Sequence, residues 1–151
     1  MSYFQQNIAN IRDRIKATCE LAQRDPNAIT LLAVSKTRSV DDVSQAVAGG
    51  INCLGENYLQ EAIEKVFALQ HLAIEWHFIG PLQSNKTRPV AESFDWVHTV
   101  DRLKIAQRLS GQRPKEMNPL NICLQVNIDR EASKSGLMAE EVKEVALAVS
   151  K

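Results

Sequence analysis

The chain has 151 residues, enough for one compact domain and cramped for two. Its 18 Lys and Arg balance 18 Asp and Glu, so it lacks the basic footprint that a phosphate backbone requires. Nucleic acid is therefore a poor partner, and no apolar stretch approaches the roughly 20 residues needed to span a bilayer.

Residues 1–10 are polar and show no basic-then-apolar leader pattern, which predicts a cytoplasmic protein. The cysteines (Cys19, Cys53 and Cys123) are odd in number, far apart and without CxxC spacing. That favours reduced, buried thiols over a disulfide framework or a metal site.

Taken in order, Phe4, Ile8, Ile11, Ile15 and Cys19 recur at spacings of four or three, which predicts an amphipathic helix. It should end near residues 24–26, because Pro26 cannot continue it. Residues 29–35, Ile-Thr-Leu-Leu-Ala-Val-Ser, form a nearly continuous apolar run, too short for a helix and typical of a strand buried on both faces. Ser39 and Asp42 have capping-box spacing ahead of Val40, Val43 and Val47, with Gly49 and Gly50 as the stop. The same alternation then recurs. Strands are expected at 51–55, 74–79, 94–100 and 120–128. Helices are expected through Leu59, Ile63 and Val66, then over 84–92, then from an Asp101 cap through Leu103, Ala106 and Leu109. In a last helix Val142, Val145 and Val149 face inward.

One helix followed by five βα units means a parallel sheet with right-handed crossovers. Periodicity alone leaves an open doubly wound sheet and part of a (β/α)8 barrel both possible. Either fold places ligands beyond the carboxyl ends of the strands. Those positions hold Ser35-Lys36-Thr37, residues 55–58, 77–86, His98-Thr99, and 127–136. A lysine at such an end is partly desolvated, which favours its neutral amine, the form that attacks an aldehyde. Lys36 is thus a candidate for a Schiff base, although position alone is also met by an ordinary solvated lysine.

LLAVSKT at 31–37, LGENYLQE at 54–61, EWHFIGPLQSNK at 75–86, FDWVHTVDRLKIA at 94–106 and ASKSG at 132–136 resemble the pyridoxal phosphate homeostasis proteins, the YggS family, in order and spacing. The resemblance runs from the N-terminal helix to residue 151. It implies an α/β fold, a (β/α)8 TIM-barrel-like domain of the alanine racemase N-terminal type, here one helix and about five βα units. It also implies pyridoxal 5′-phosphate (PLP) held as a Schiff base on Lys36, and a role in intracellular PLP (vitamin B6) homeostasis. No established turnover comes with the family, and a PLP lysine without a clear second acid or base suits a carrier better than a racemase. PLP-dependent apoenzymes are the partners implied, and a monomer the expected state of a full-length relative.

With the family Asn57 carries over as a cofactor contact after strand two, and His77 as a residue beneath the cofactor. Asn85 and Lys134 carry over as possible rim residues, and no metal is implied. Trp76 and Phe78 flank His77 and should point to the other face as packing. No partner is evident for His98 or His71. The family continues for about three more βα units, whose Ser, Gly and Arg segments hold the phosphate. A polypeptide ending at residue 151 is therefore expected to lack that cradle, to expose strand five as an edge, to self-associate and to bind PLP loosely.

A competing reading is a nucleotide-binding protein, because Gly80-Pro-Leu-Gln-Ser-Asn-Lys-Thr87 differs from the P-loop pattern GxxxxGK[ST] only at Asn85. Against it, Asn85 puts a side chain where the backbone must approach phosphate, and Pro81 removes an amide donor.

Overall fold

A computed structural model describes residues 3–150. Five parallel strands form one sheet in the order β1-β2-β3-β4-β5: Leu32–Val34, Cys53–Glu56, Glu75–Phe78, Trp96–Val100 and Asn121–Leu124. Among the described residues six α-helices accompany them: α1 (Tyr3–Leu21), α2 (Val40–Ala48), α3 (Leu59–Ala68), α4 (Thr87–Ser93), α5 (Leu103–Gln112) and α6 (Val142–Val149). The strictly sequential order decides what periodicity left open. A doubly wound sheet reverses its strand order at a switch point, whereas unidirectional right-handed crossovers build the wall of a (β/α)8-type barrel.

The core lies between the outer face of this wall and its helices. Leu54 of β2, Trp76 and Phe78 of β3 and Val97 of β4 pack with Val43, Ala62, Val90, Ile105 and Leu109 from the helices. Trp76 and Phe78 are nearly fully buried there, on the face opposite His77 as strand alternation requires. The capping box at Ser39 and Asp42 forms, and Gly50 follows the end of α2 at φ +93°, a conformation costly for a residue with a Cβ.

Several boundaries differ from the sequence expectation. β1 is only three residues long, because Asp25 caps a 3-10 turn over Pro26–Ala28 and the Ile29 amide donates back to the Pro26 carbonyl. Nor is β1 buried on both faces: it pairs with β2 alone among the described residues, and Val34 is 53% exposed. The expected Asp101 cap is not made. Arg102 occupies the position before α5, and the Asp101 carboxylate instead accepts from the Arg102 guanidinium at 2.9 and 3.1 Å. In α6, Val142, Val145 and Val149 are half-buried and no residue is fully buried.

Two glycines let loops pack at the carboxyl end of the sheet. Gly80 follows β3 so closely against the loop after β2 that a Cβ there would lie 2.1 Å from the Asn57 carbonyl oxygen. Gly136, at φ +139°, sits where a Cβ would lie 2.6 Å from the Asn127 amide nitrogen.

Candidate functional site

The pairing of β1 with β2 runs one residue past the strand, through the Ser35 amide to the Gly55 carbonyl at 2.9 Å. It delivers Lys36 to the carboxyl end of the sheet as an exposed residue. Both of its neighbours are tied to other elements. The Ser35 hydroxyl donates to Glu56 Oε1 at 2.6 Å, and the Ser35 carbonyl accepts from Lys65 Nζ at 2.7 Å. On the other side, the Thr37 amide donates to Glu61 Oε1 at 2.6 Å. Thr37 adopts φ +62°, a strained setting for a β-branched residue that persists only where its surroundings impose it.

Lys65, on α3, joins these contacts into one network. Its ammonium also donates to Glu56 Oε1 at 2.8 Å and to Glu61 Oε1 at 2.6 Å. Lys65 and Glu56 are 3% and 0% exposed, so this ion pair is out of water. Glu56 Oε2 is buried without a hydrogen-bond partner, which leaves Oε1 carrying the contacts of that carboxylate. The hydrogen bond from Lys65, with smaller help from the Thr37 amide, holds the Glu61 carboxyl below its ordinary value of 4.5. Within this frame the Lys36 ammonium itself has no hydrogen-bond or ion-pair partner among the described residues. The backbone is fixed and the amine is free.

The other sequence-predicted residues fall in different places. Asn57 is half-buried in the loop after β2, backed by Gly80. His77 is buried at mid-strand in β3, where its Nε2 lies 3.0 Å from Glu75 Oε1 and its Nδ1 lies 2.9 Å from His98 Nε2. Its ring stacks on Trp96 with centroids 5.6 Å apart. His98 thus has a partner that the sequence did not reveal. Burial, with a smaller electrostatic contribution from the neighbouring His77, pushes the His98 imidazole below its ordinary value. The register shift between Val97 and Val100 accompanies this: both valines stay in the helix-side core, while the Thr99 hydroxyl reaches the Gly80 carbonyl at 2.6 Å.

A cavity of about 610 Å³ opens at the carboxyl ends of β3, β4 and β5, lined in part by Thr99, Arg102, Gln125, Asn127, Lys134 and Ser135. Lys134 therefore belongs to the mouth, with its ammonium 2.8 Å from Glu131. Asn127 shapes this rim by donating from Nδ2 to the carbonyls of Glu131 and Lys134. Lys36, Asn57, His77 and Asn85 do not line this cavity. Asn85 is exposed in the 3-10 turn Ser84–Lys86 that leads into α4.

Sequence reasoning missed Ser35, Glu56, Glu61 and Lys65 as a unit. Glu56 lies inside the LGENY string, but nothing along the chain shows that its carboxylate meets a helix lysine.

Residues 6–151 match the family described as alanine racemase, N-terminal domain. The chain is 56% identical over 149 residues to the pyridoxal phosphate homeostasis protein of Pseudomonas aeruginosa, covering 99% of this chain and 65% of that protein. It is 50% identical over 153 residues to the protein of the same description from Escherichia coli, again over 99% of this chain and 65% of the relative. The chain thus spans about two-thirds of the length of these relatives, just under that mark. Among solved structures it is similar to PipY of Synechococcus elongatus with PLP bound, at 33% identity and a TM-score of 0.75, over 91% of this chain and 64% of that one. With the sequential parallel sheet already in view, the chain belongs to the alanine racemase N-terminal domain family.

Proposed function

We propose that this chain binds PLP through a Schiff base on Lys36 and takes part in intracellular, cytoplasmic PLP homeostasis without catalytic turnover. The observation that carries the reading is the contrast at Lys36 between a backbone tied on both sides and an unpartnered amine. PLP supplies an aldehyde, and an uncommitted lysine amine on a fixed backbone is the group suited to condense with it. The relatives described as PLP homeostasis proteins and the PLP-bound PipY support the choice of ligand.

Asn57 approaches the cofactor from the next strand end, and His77 supports the floor from one layer below. Lys134 and Arg102 stand at the mouth already paired with Glu131 and Asp101, so an anionic ligand there must displace one of these pairings, with Asn85 farther out on the rim. Hand-over of PLP to apoenzymes is the partner relationship that this role entails. The competing nucleotide reading fares worse. Gly80 is occupied by close packing on Asn57, and residues 84–86 form a 3-10 turn rather than a loop wrapped around an anion. Titration with PLP should produce the yellow imine absorption, approaching one PLP per chain at saturation, and the protein should pass through an ATP column. No yellow species, or retention reversed by free ATP, would contradict the reading.

Self-association by strand pairing is part of the same proposal. Among the described residues β1 and β5 each pair on one side within the sheet, and such edges template pairing with another chain. Sedimentation velocity should show a dimer growing with concentration. A monomer at all concentrations would remove this element.

A further inference from the structure

At the opposite, amino-terminal end of the sheet, three side chains of different chemistry converge on the inner face. Cys53 opens β2 and Glu75 opens β3, and the parallel register sets them directly opposite each other. His77, two residues beyond Glu75, presents its ring on the same face. Cys53 Sγ lies 3.4 Å and His77 Nε2 lies 3.0 Å from the same Glu75 Oε1, and the three ligand atoms all fall within 4.8 Å of one another. We propose that Cys53, Glu75 and His77 form a site for a borderline-soft divalent cation of the zinc type, one layer below Lys36 and sharing His77 with the floor of that site.

The two contacts to Glu75 suit such an ion. Zinc bonds of about 2.3 Å to sulfur, about 2.0 Å to imidazole and about 2.1 Å to carboxylate place tetrahedral ligands roughly 3.4–3.6 Å apart. The two contacts to Glu75 need to lengthen by only a few tenths of an ångström. A thiolate, a carboxylate and a neutral imidazole balance the charge of a divalent ion, and the thiol proton leaves to solvent on binding. This mixed S, N, O set selects zinc over magnesium or calcium, which take oxygen ligands. The remaining imidazole nitrogen, His77 Nδ1, is already 2.9 Å from His98 Nε2. Such a contact orients a metal-ligating histidine and fixes its tautomer.

Access is present on the same side. Cys53 and Glu75 line an open cavity of about 680 Å³ with Arg12, Lys16, Thr30 and Asn52, and the Glu75 side chain is 45% exposed. The fourth position therefore has room for a water molecule. Of the two cations nearby, Arg12 is committed to the Gly50 carbonyl.

The test uses the full chain, reduced and stripped with a chelator, in the absence of PLP, with Co²⁺ as the spectroscopic probe and Zn²⁺ as competitor. One equivalent of Co²⁺ should give tetrahedral visible bands and a thiolate-to-cobalt charge-transfer band, both abolished by Zn²⁺. Cys53→Ser should lose the charge-transfer band while keeping its far-ultraviolet circular dichroism. Glu75→Gln should keep the band and bind at least about tenfold more weakly. The double variant Cys19→Ser/Cys123→Ser should behave as the parent. Absence of the band from the parent, its survival in Cys53→Ser, or its loss from the double variant would overturn the proposal.

Discussion

Lys65→Ala should destabilise the fold by about 3–5 kcal/mol, the range for removing one partner of a buried ion pair. The lysine is 3% exposed, and its ammonium serves Glu56, Glu61 and the Ser35 carbonyl at 2.8, 2.6 and 2.7 Å. Deleting it strands the Glu56 carboxylate, which is fully buried and has no other cation within contact distance among the described residues. Exposed pairs such as Arg88 with Glu92 behave differently, contributing about 0–1 kcal/mol because water competes for both charges. Removing both buried charges together, as Lys65→Met with Glu56→Gln, should recover much of the loss, since no fully buried charge is left unpaired and the Glu61 side chain, 31% exposed, keeps contact with water. Urea unfolding at neutral pH measures all three variants. A single-variant loss under about 1 kcal/mol would show that the pair is effectively solvated. The consequence extends to Lys36, because the same ammonium fixes the Ser35 carbonyl, and the Glu61 oxygen that accepts from it also accepts from the Thr37 amide. PLP affinity should therefore fall further than stability alone accounts for.

Gly80→Ala should be the most disruptive of the glycine-to-alanine changes, because its Cβ would make the shortest contact of the six. The added Cβ would lie 2.1 Å from the Asn57 carbonyl oxygen, 2.8 Å from its carbon and 2.9 Å from the Asn57 Cα. All three are backbone atoms, so no side-chain rotation relieves the overlap, and one of the two loops must move. Overpacking of this kind costs on the order of 1–3 kcal/mol. The displacement also acts on the site, since Asn57 follows β2 and the Gly80 carbonyl accepts the Thr99 hydroxyl. PLP titration should show weakened binding alongside the lowered unfolding midpoint. Gly111→Ala provides the contrast: its Cβ meets nothing within 4 Å, and alanine stabilises a helix over glycine by roughly 0.5–1 kcal/mol. Equal stability of Gly80→Ala and the parent would contradict the contact.

Much of the architecture was legible because it rests on local patterns. The run at 29–35, the Ser39 capping box and the recurring helix stripes are read from neighbours in sequence, and each corresponds to an element of the sheet or its covering layer. Boundaries were less legible. Ile29 has strand composition but donates to Pro26 in the turn preceding β1, and Asp101 has cap composition but takes Arg102 instead. The order of strands lay beyond periodicity altogether, since short buried strands look alike whichever neighbour they choose.

The candidate site divides along the same line. Lys36 could be singled out because a strand's carboxyl end is a position along the chain. Its supports could not, because Ser35 meets Glu56 across 21 residues and Lys65 reaches back 30 residues to Ser35. His98 meets His77 only through the pairing of β3 with β4. Cys53 meets Glu75 only through the register of β2 with β3. None of these spacings forms a motif; each follows from which strands pair and in what phase.

The central claim is that Lys36 is the lysine that takes PLP, and one measurement addresses it directly. The protein is mixed with one equivalent of PLP, reduced with borohydride, digested and mapped by mass spectrometry. A single pyridoxyl adduct per chain on the peptide containing Lys36 is the predicted result. Label distributed over the exposed lysines in proportion to their accessibility, or no label at all, would contradict it.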